Sequence, residues 1–178
     1  MKFIKDILLF DIETTGPYAD KDTIIQLSAI LLDKDNLLEK DFFNSYVRVS
    51  LLDNTINQHA TILQIPFETM KQSLKIYDVI KLFDEKFGSK YLLAAHTSLP
   101  VAFLRNAYKK AAISYEFDMH TVDLWTLGYI YTLSFGVKKM PTFNTFLDQF
   151  NLSQKNRHNA LERCRLSAEI FRKVVANV

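Results

Sequence analysis

With 178 residues, 48% of them hydrophobic and 24% charged, the chain is long enough for one domain with a real core, and that composition excludes a disordered or fibrous protein. Only four glycines and four prolines argue against long linkers, and a single cysteine, Cys164, excludes an intrachain disulfide. A net charge of +2 excludes strong whole-molecule attraction to nucleic acid, and neither a membrane-length apolar run nor a secretory opening is visible, so one cytoplasmic domain over residues 1–178 is the expectation.

Ile7-Leu8-Leu9-Phe10 reads as a strand buried on both faces, and it runs into Asp11-Ile12-Glu13. Side chains on a strand repeat every two residues, so Asp11 and Glu13 share a face and Ile12 points the other way. Two acids so close at a buried strand end repel each other, and a cation between them relieves the repulsion. Thr14-Thr15-Gly16 then breaks the strand and brings backbone donors near the acids.

A second strand starts at Thr23-Ile24-Ile25-Gln26, Asp33 to Asn36 make a turn, and Asp41 to Val49 read as a third strand, so the first three form an antiparallel meander. Asn54 to Gln64 suggest a short capped helix, and Pro66 opens another. Leu74 to Phe87 carry a helical apolar period that Gly88 ends. Tyr91 to Ala95 form a short buried strand, and Ser98 to Ala112 a helix with Pro100 in its first turn. Glu116 to Leu124 suggest a fifth strand, followed by helices through Leu133, from Thr142 to Phe150, and from His158 onward. In the last of these Ala160, Cys164, Ala168, Phe171 and Val175 form one apolar stripe. Strands followed by alternating helices and strands give an α/β class.

Charge is unevenly spread. Residues 138–178 hold eight Lys or Arg against three acids, whereas the rest of the chain holds 14 basic and 17 acidic residues. A basic C-terminal section beside an acidic strand end suits a phosphate-bearing ligand, and a solvated helix face is the alternative.

Residues 7–16, 24–30, 88–104 and 142–175 together resemble the DEDDh 3′–5′ exonucleases, the family of the proofreading subunit of bacterial replicative DNA polymerase and of ribonuclease T. The resemblance implies a ribonuclease-H-like mixed five-stranded sheet flanked by helices. It makes Asp11 and Glu13 metal-binding acids and His158 the general base toward the attacking water. It also places Thr14, Thr15, Gly16, His96 and Phe103 near a nucleic-acid strand. In the middle region the fit is looser: Ile56 and Ile65 match, and Gln64 stands where the family usually has glycine.

Two family acids are missing. The second motif resembles Leu92 to Leu104 without a gap, which puts Pro100 at an acid position, and no acid occurs anywhere between Glu85 and Glu116. The third motif resembles His158-Asn159-Ala160-Leu161-Glu162-Arg163-Cys164, with Arg163 at the other acid position. Glu162 is one residue early, about 100° away on a helix. At about 4 Å and an effective dielectric near 20, Arg163 would repel a divalent ion by on the order of 8 kcal/mol. Even a third of that weakens metal binding roughly a hundredfold.

These losses point to a nucleic-acid-binding protein on an exonuclease scaffold with catalysis impaired or absent, and to Arg163 bridging Asp11 and Glu13 or else simply facing solvent. The alternatives are an active Mg²⁺- or Mn²⁺-dependent exonuclease on single-stranded DNA or RNA 3′ ends, with Glu162 or Asp123 as an unusual ligand, and a non-catalytic subunit of a polymerase or nuclease.

Overall fold

The computed structural model describes residues 2–49, 66–136, 138–153 and 159–176. The helix expected over residues 54–64 and the histidine His158 lie outside these. The described chain forms strands β1 (Ile7–Thr14), β2 (Ile24–Leu32) and β3 (Glu39–Tyr46), helices α1 (Phe67–Gln72) and α2 (Ile76–Phe87), strand β4 (Leu92–Ala95), helix α3 (Leu99–Lys110) and strand β5 (Thr121–Asp123). Helices α4 (Leu124–Leu133), α5 (Phe143–Gln149) and α6 (Ala160–Val175) complete it. The five strands make one mixed sheet in the order β3-β2-β1-β4-β5. As the meander requires, β1, β2 and β3 pair antiparallel, while β4 runs parallel to β1 and β5 parallel to β4.

The pleat of β1 sorts the core into two layers. Leu8, Phe10 and Ile12 pack with Val79, Ile80 and Phe83 of α2 and with Phe103, Leu104 and Tyr108 of α3. Ile7 and Leu9 face the other way, onto Leu124 of α4 and Cys164, Ala168 and Phe171 of α6. Asp11 and Glu13 continue this second series, so the period of two aims both acids at α6. The stripe on α6 forms as its spacing predicts, with Val175 at its half-buried end.

The larger differences from the expected boundaries, in β3, α2 and β5, each have a local cause. β3 begins at Glu39 and stops at Tyr46; Val47 instead bridges Leu74, and Arg48 N–H donates to Leu74 C=O at 2.7 Å. That bridge also holds Leu74 out of α2, which starts at Ile76. β5 is only three residues long, since Asp118 accepts the His120 N–H at 2.8 Å and turns the chain just before it. Ser98 occupies the position before α3 but its hydroxyl caps nothing there.

Candidate functional site

β1 and β4 are parallel neighbours in the middle of the sheet, so their C-terminal ends meet at one edge. Here β1 presents Asp11 and Glu13, both buried. The register of β1 against β2 shifts between Glu13 and Thr14, a bulge that ends regular pairing at the acids. α6 crosses this edge, and the turn after Ala160 brings Arg163 over it. The guanidinium bridges the two acids: Nε donates to Asp11 Oδ2, Nη1 lies 2.9 Å from Glu13 Oε1, and Nη2 donates to the Ile12 carbonyl at 2.8 Å. Arg163 does not face solvent; its side chain is only 27% exposed.

The two acids are not held equally. Asp11 takes a direct hydrogen bond, whereas Glu13 Oε1 has no hydrogen-bond partner among the described residues and meets Nη1 as an ion pair alone. One cation beside two carboxylates leaves a charge uncompensated, and Glu13 bears it. Burial pushes the Glu13 carboxyl up to about 7; Arg163 opposes the shift and Asp11 adds to it. Burial disfavours the charged Arg163 as well, but Asp11 and Glu13 outweigh it and raise its pKa further, so it stays a cation.

The position of Arg163 is set from β2. Gln26 pairs across from Glu13 and is fully buried. Its Oε1 accepts the Ala160 N–H at 3.3 Å, and its Nε2 donates to Asn44 Oδ1 at 2.8 Å, where the Ser28 hydroxyl also donates. Asn159 completes the helix start by accepting from Leu161 and Glu162 N–H groups. The first turn of α6 is thus tied to the strand beside the acids.

Next to Arg163 opens a cavity of about 400 Å³. Its walls include Asp11, Thr14, His96, Pro100, Phe143 and Arg163. His96 follows β4, its carbonyl accepting the Trp125 N–H, and its ring meets Phe143 edge-on at 4.8 Å. Burial holds the imidazole below its usual pKa, against Asp11 and Asp123, which act to raise it. His96 Nδ1 is buried with no hydrogen-bond partner among the described residues. Phe143 reaches the wall because Thr142 and Thr145 form a reciprocal capping box at the start of α5.

Several expected site residues lie elsewhere. Phe103 is 2% exposed and sits in the core under the opposite sheet face, since it shares a helix stripe with Leu104, Ala107 and Tyr108. Thr15 serves the loop: its hydroxyl accepts the Thr23 N–H at 2.9 Å. Gly16 also serves the loop, because a Cβ there would lie 2.6 Å from the Asp22 carboxylate, which caps Tyr18 N–H. Thr14 alone of the three lines the cavity, with its hydroxyl donating to Gly16 C=O. Glu162 turns to Arg165 at 2.9 Å, and Asp123 caps α4 by accepting from Thr126 N–H. Neither stands with Asp11 and Glu13 as a ligand. Part of the basic C-terminal section is spent on ion pairs: besides Arg163, Arg165 pairs with Glu39 and Glu162, and Arg172 with Glu169. Lys138 and Lys139, just before α5, are exposed and make no ion pair among the described residues.

Residues the sequence reading did not single out are Phe143 and Ser167, which line the cavity, and Gln26, which ties the start of α6 to β2. Ser167 was accessible by spacing, four residues after Arg163 on one helix face. Gln26 was accessible as a polar interruption of an apolar strand.

A family model for exonucleases of the ribonuclease T group matches residues 8–171. The chain belongs to the DEDDh-type 3′–5′ exonuclease family. Among curated relatives, the PolC-type DNA polymerase III of Bacillus subtilis is 28% identical over 173 residues, covering 94% of this chain and 11% of the polymerase. That of Listeria monocytogenes is 28% identical over 169 residues, again covering 94% and 11%. The chain therefore spans a small part of the curated relatives it matches. Among solved structures, cell-death related nuclease 4 superposes with a TM-score of 0.83 at 17% identity, covering 97% of this chain and 64% of that one. The nuclease domain of 3′hExo, bound to rAMP, superposes with a TM-score of 0.79 at 18% identity, covering 99% and 95%. These likenesses establish the ribonuclease-H-like fold.

The exonuclease family generally uses divalent metals, hard cations held by carboxylate, water and substrate phosphate oxygens. In this chain the two acids of β1 are filled by a guanidinium, and the cavity wall offers Pro100 in place of a donor. Among the described residues no group of three or more His, Cys, Asp or Glu side chains is placed to hold an ion. The described residues do not fit a two-metal site.

Proposed function

We propose that this chain is a nucleic-acid-binding domain that holds a single-stranded 3′ end on an exonuclease scaffold without hydrolysing it. The observation that carries this reading is the cavity itself. It remains open beside an acid pair already bridged by Arg163, and it is lined by an aromatic ring, Phe143, and by the His96 imidazole that meets it edge-on. A base stacks on such a ring whatever its sequence. Lys138 and Lys139 stand ahead of Phe143 as phosphate contacts. Two structural neighbours support the ligand class: one is described as recognising the 3′ end of a histone mRNA stem-loop, and Escherichia coli exonuclease I is described in complex with a dT13 oligonucleotide. Glu162 and Asp123, occupied elsewhere, give a working metal site no support. No described helix is long and apolar enough to cross a membrane.

Fluorescence anisotropy with labelled single-stranded DNA and RNA, in EDTA, tests the reading. Binding is expected to weaken as salt rises, with Phe143→Ala reducing affinity about tenfold by loss of one stacking contact. Lys138→Glu/Lys139→Glu should weaken binding to all sequences and flatten the salt dependence by about two ions. An absence of salt-dependent binding to both polymers would instead favour a protein-interaction subunit.

A further inference from the structure

We infer that the Arg163 guanidinium is a resident cation that closes the acid pair of β1 to Mg²⁺ and Mn²⁺, and that removing it uncovers a latent divalent-ion site on Asp11 and Glu13. This deepens the function proposed above, but its test contains no nucleic acid, so either can fail without the other. The geometry is specific. Two buried carboxylates on one strand face converge on a single planar cation, which is held a third time by the Ile12 carbonyl. Glu13 Oε1 has no hydrogen bond from any described residue and shares the one cation with Asp11, so it is matched neither fully in charge nor in donor geometry. Such an oxygen is available to a metal once the guanidinium is gone. The cation is also fixed in place: Gln26 and Asn159 bind the first turn of α6, the turn that carries Arg163. A bound point charge and a divalent ion exclude each other from the same carboxylates.

The experiment is Mn²⁺ binding by electron paramagnetic resonance, with thermal unfolding measured in parallel with and without Mn²⁺. Wild type is expected to bind no Mn²⁺ that Asp11→Asn abolishes. Arg163→Ala should bind Mn²⁺ at least about a hundredfold more tightly than wild type. Its unfolding temperature should rise with Mn²⁺ while that of wild type does not. Arg163→Lys, which keeps a cation, should stay silent. Should Arg163→Ala not fold, Arg163→Gln replaces it, a neutral side chain that still donates hydrogen bonds. Asp11-dependent Mn²⁺ binding by wild type would overturn the inference, as would neutral variants that bind Mn²⁺ no better than wild type.

Discussion

Replacing Arg163 with alanine is expected to cost about 3 kcal/mol of folding stability at pH 8, measured by urea unfolding in EDTA. Removing one partner of a mostly buried ion pair leaves the other charges desolvated and unopposed, and here two carboxylates are stranded. The loss depends on pH with a definite sign. Burial raises the Glu13 carboxyl from 4.5 to about 7 in the folded protein, so the fold holds a proton there that the unfolded chain has released. The folded state therefore binds more protons between those values, and this group makes stability fall as pH rises from 4.5 to 7. Arg163 is the group that restrains this shift. Without it the folded pKa climbs further, and the penalty keeps growing to higher pH. The gap between wild type and Arg163→Ala should thus be smaller at pH 5 than at pH 8. A gap that is constant across this range, or a loss under 1 kcal/mol, would mean that the guanidinium does not compensate the acids.

Gln26→Leu is expected to cost 2–3 kcal/mol, a large effect for a change that preserves side-chain volume. It deprives the Ala160 N–H of its acceptor inside the protein and takes one of two donors from Asn44. Asn44 is exposed and can turn to water, but Gln26 and Ala160 are both fully buried, so the Ala160 N–H has no such recourse. Its second consequence is local. Amide hydrogen exchange in the first turn of α6, Ala160 to Arg163, should quicken more than that in α2, which Gln26 does not touch. Unchanged stability with unchanged exchange in α6 would show that Gln26 does not position Arg163.

The sequence made the centre of the site legible because strand periodicity is rigid. Ile7 to Glu13 could alternate in only one way, and the acids had to share the face that receives α6. Arg163 was legible from charge: a cation at a position that resembles an acid site, with two acids waiting. Phe103 was misplaced although its spacing with Leu104, Ala107 and Tyr108 already described a core stripe; resemblance to a motif drew it to the groove, and helical period put it in the core. The pairing of Arg165 was hidden for another reason. Counting charges along the chain sees Arg165 but not Glu39, which the fold brings to 3.1 Å from 126 residues away. β5 was overextended because its apolar pattern hid the Asp118–His120 turn, a side-chain-to-backbone hydrogen bond that propensity does not record.

The most direct measurement is hydrolysis of 5′-labelled single-stranded DNA and RNA in Mg²⁺ and in Mn²⁺, with wild type, Asp11→Ala and Pro100→Asp/Arg163→Asp run side by side. With the acid pair of β1 occupied by Arg163, wild type should release no more product than Asp11→Ala in either metal. A ladder of shortened products from wild type that disappears in Asp11→Ala would contradict this reading, because it would require a working metal centre at carboxylates that Arg163 already fills.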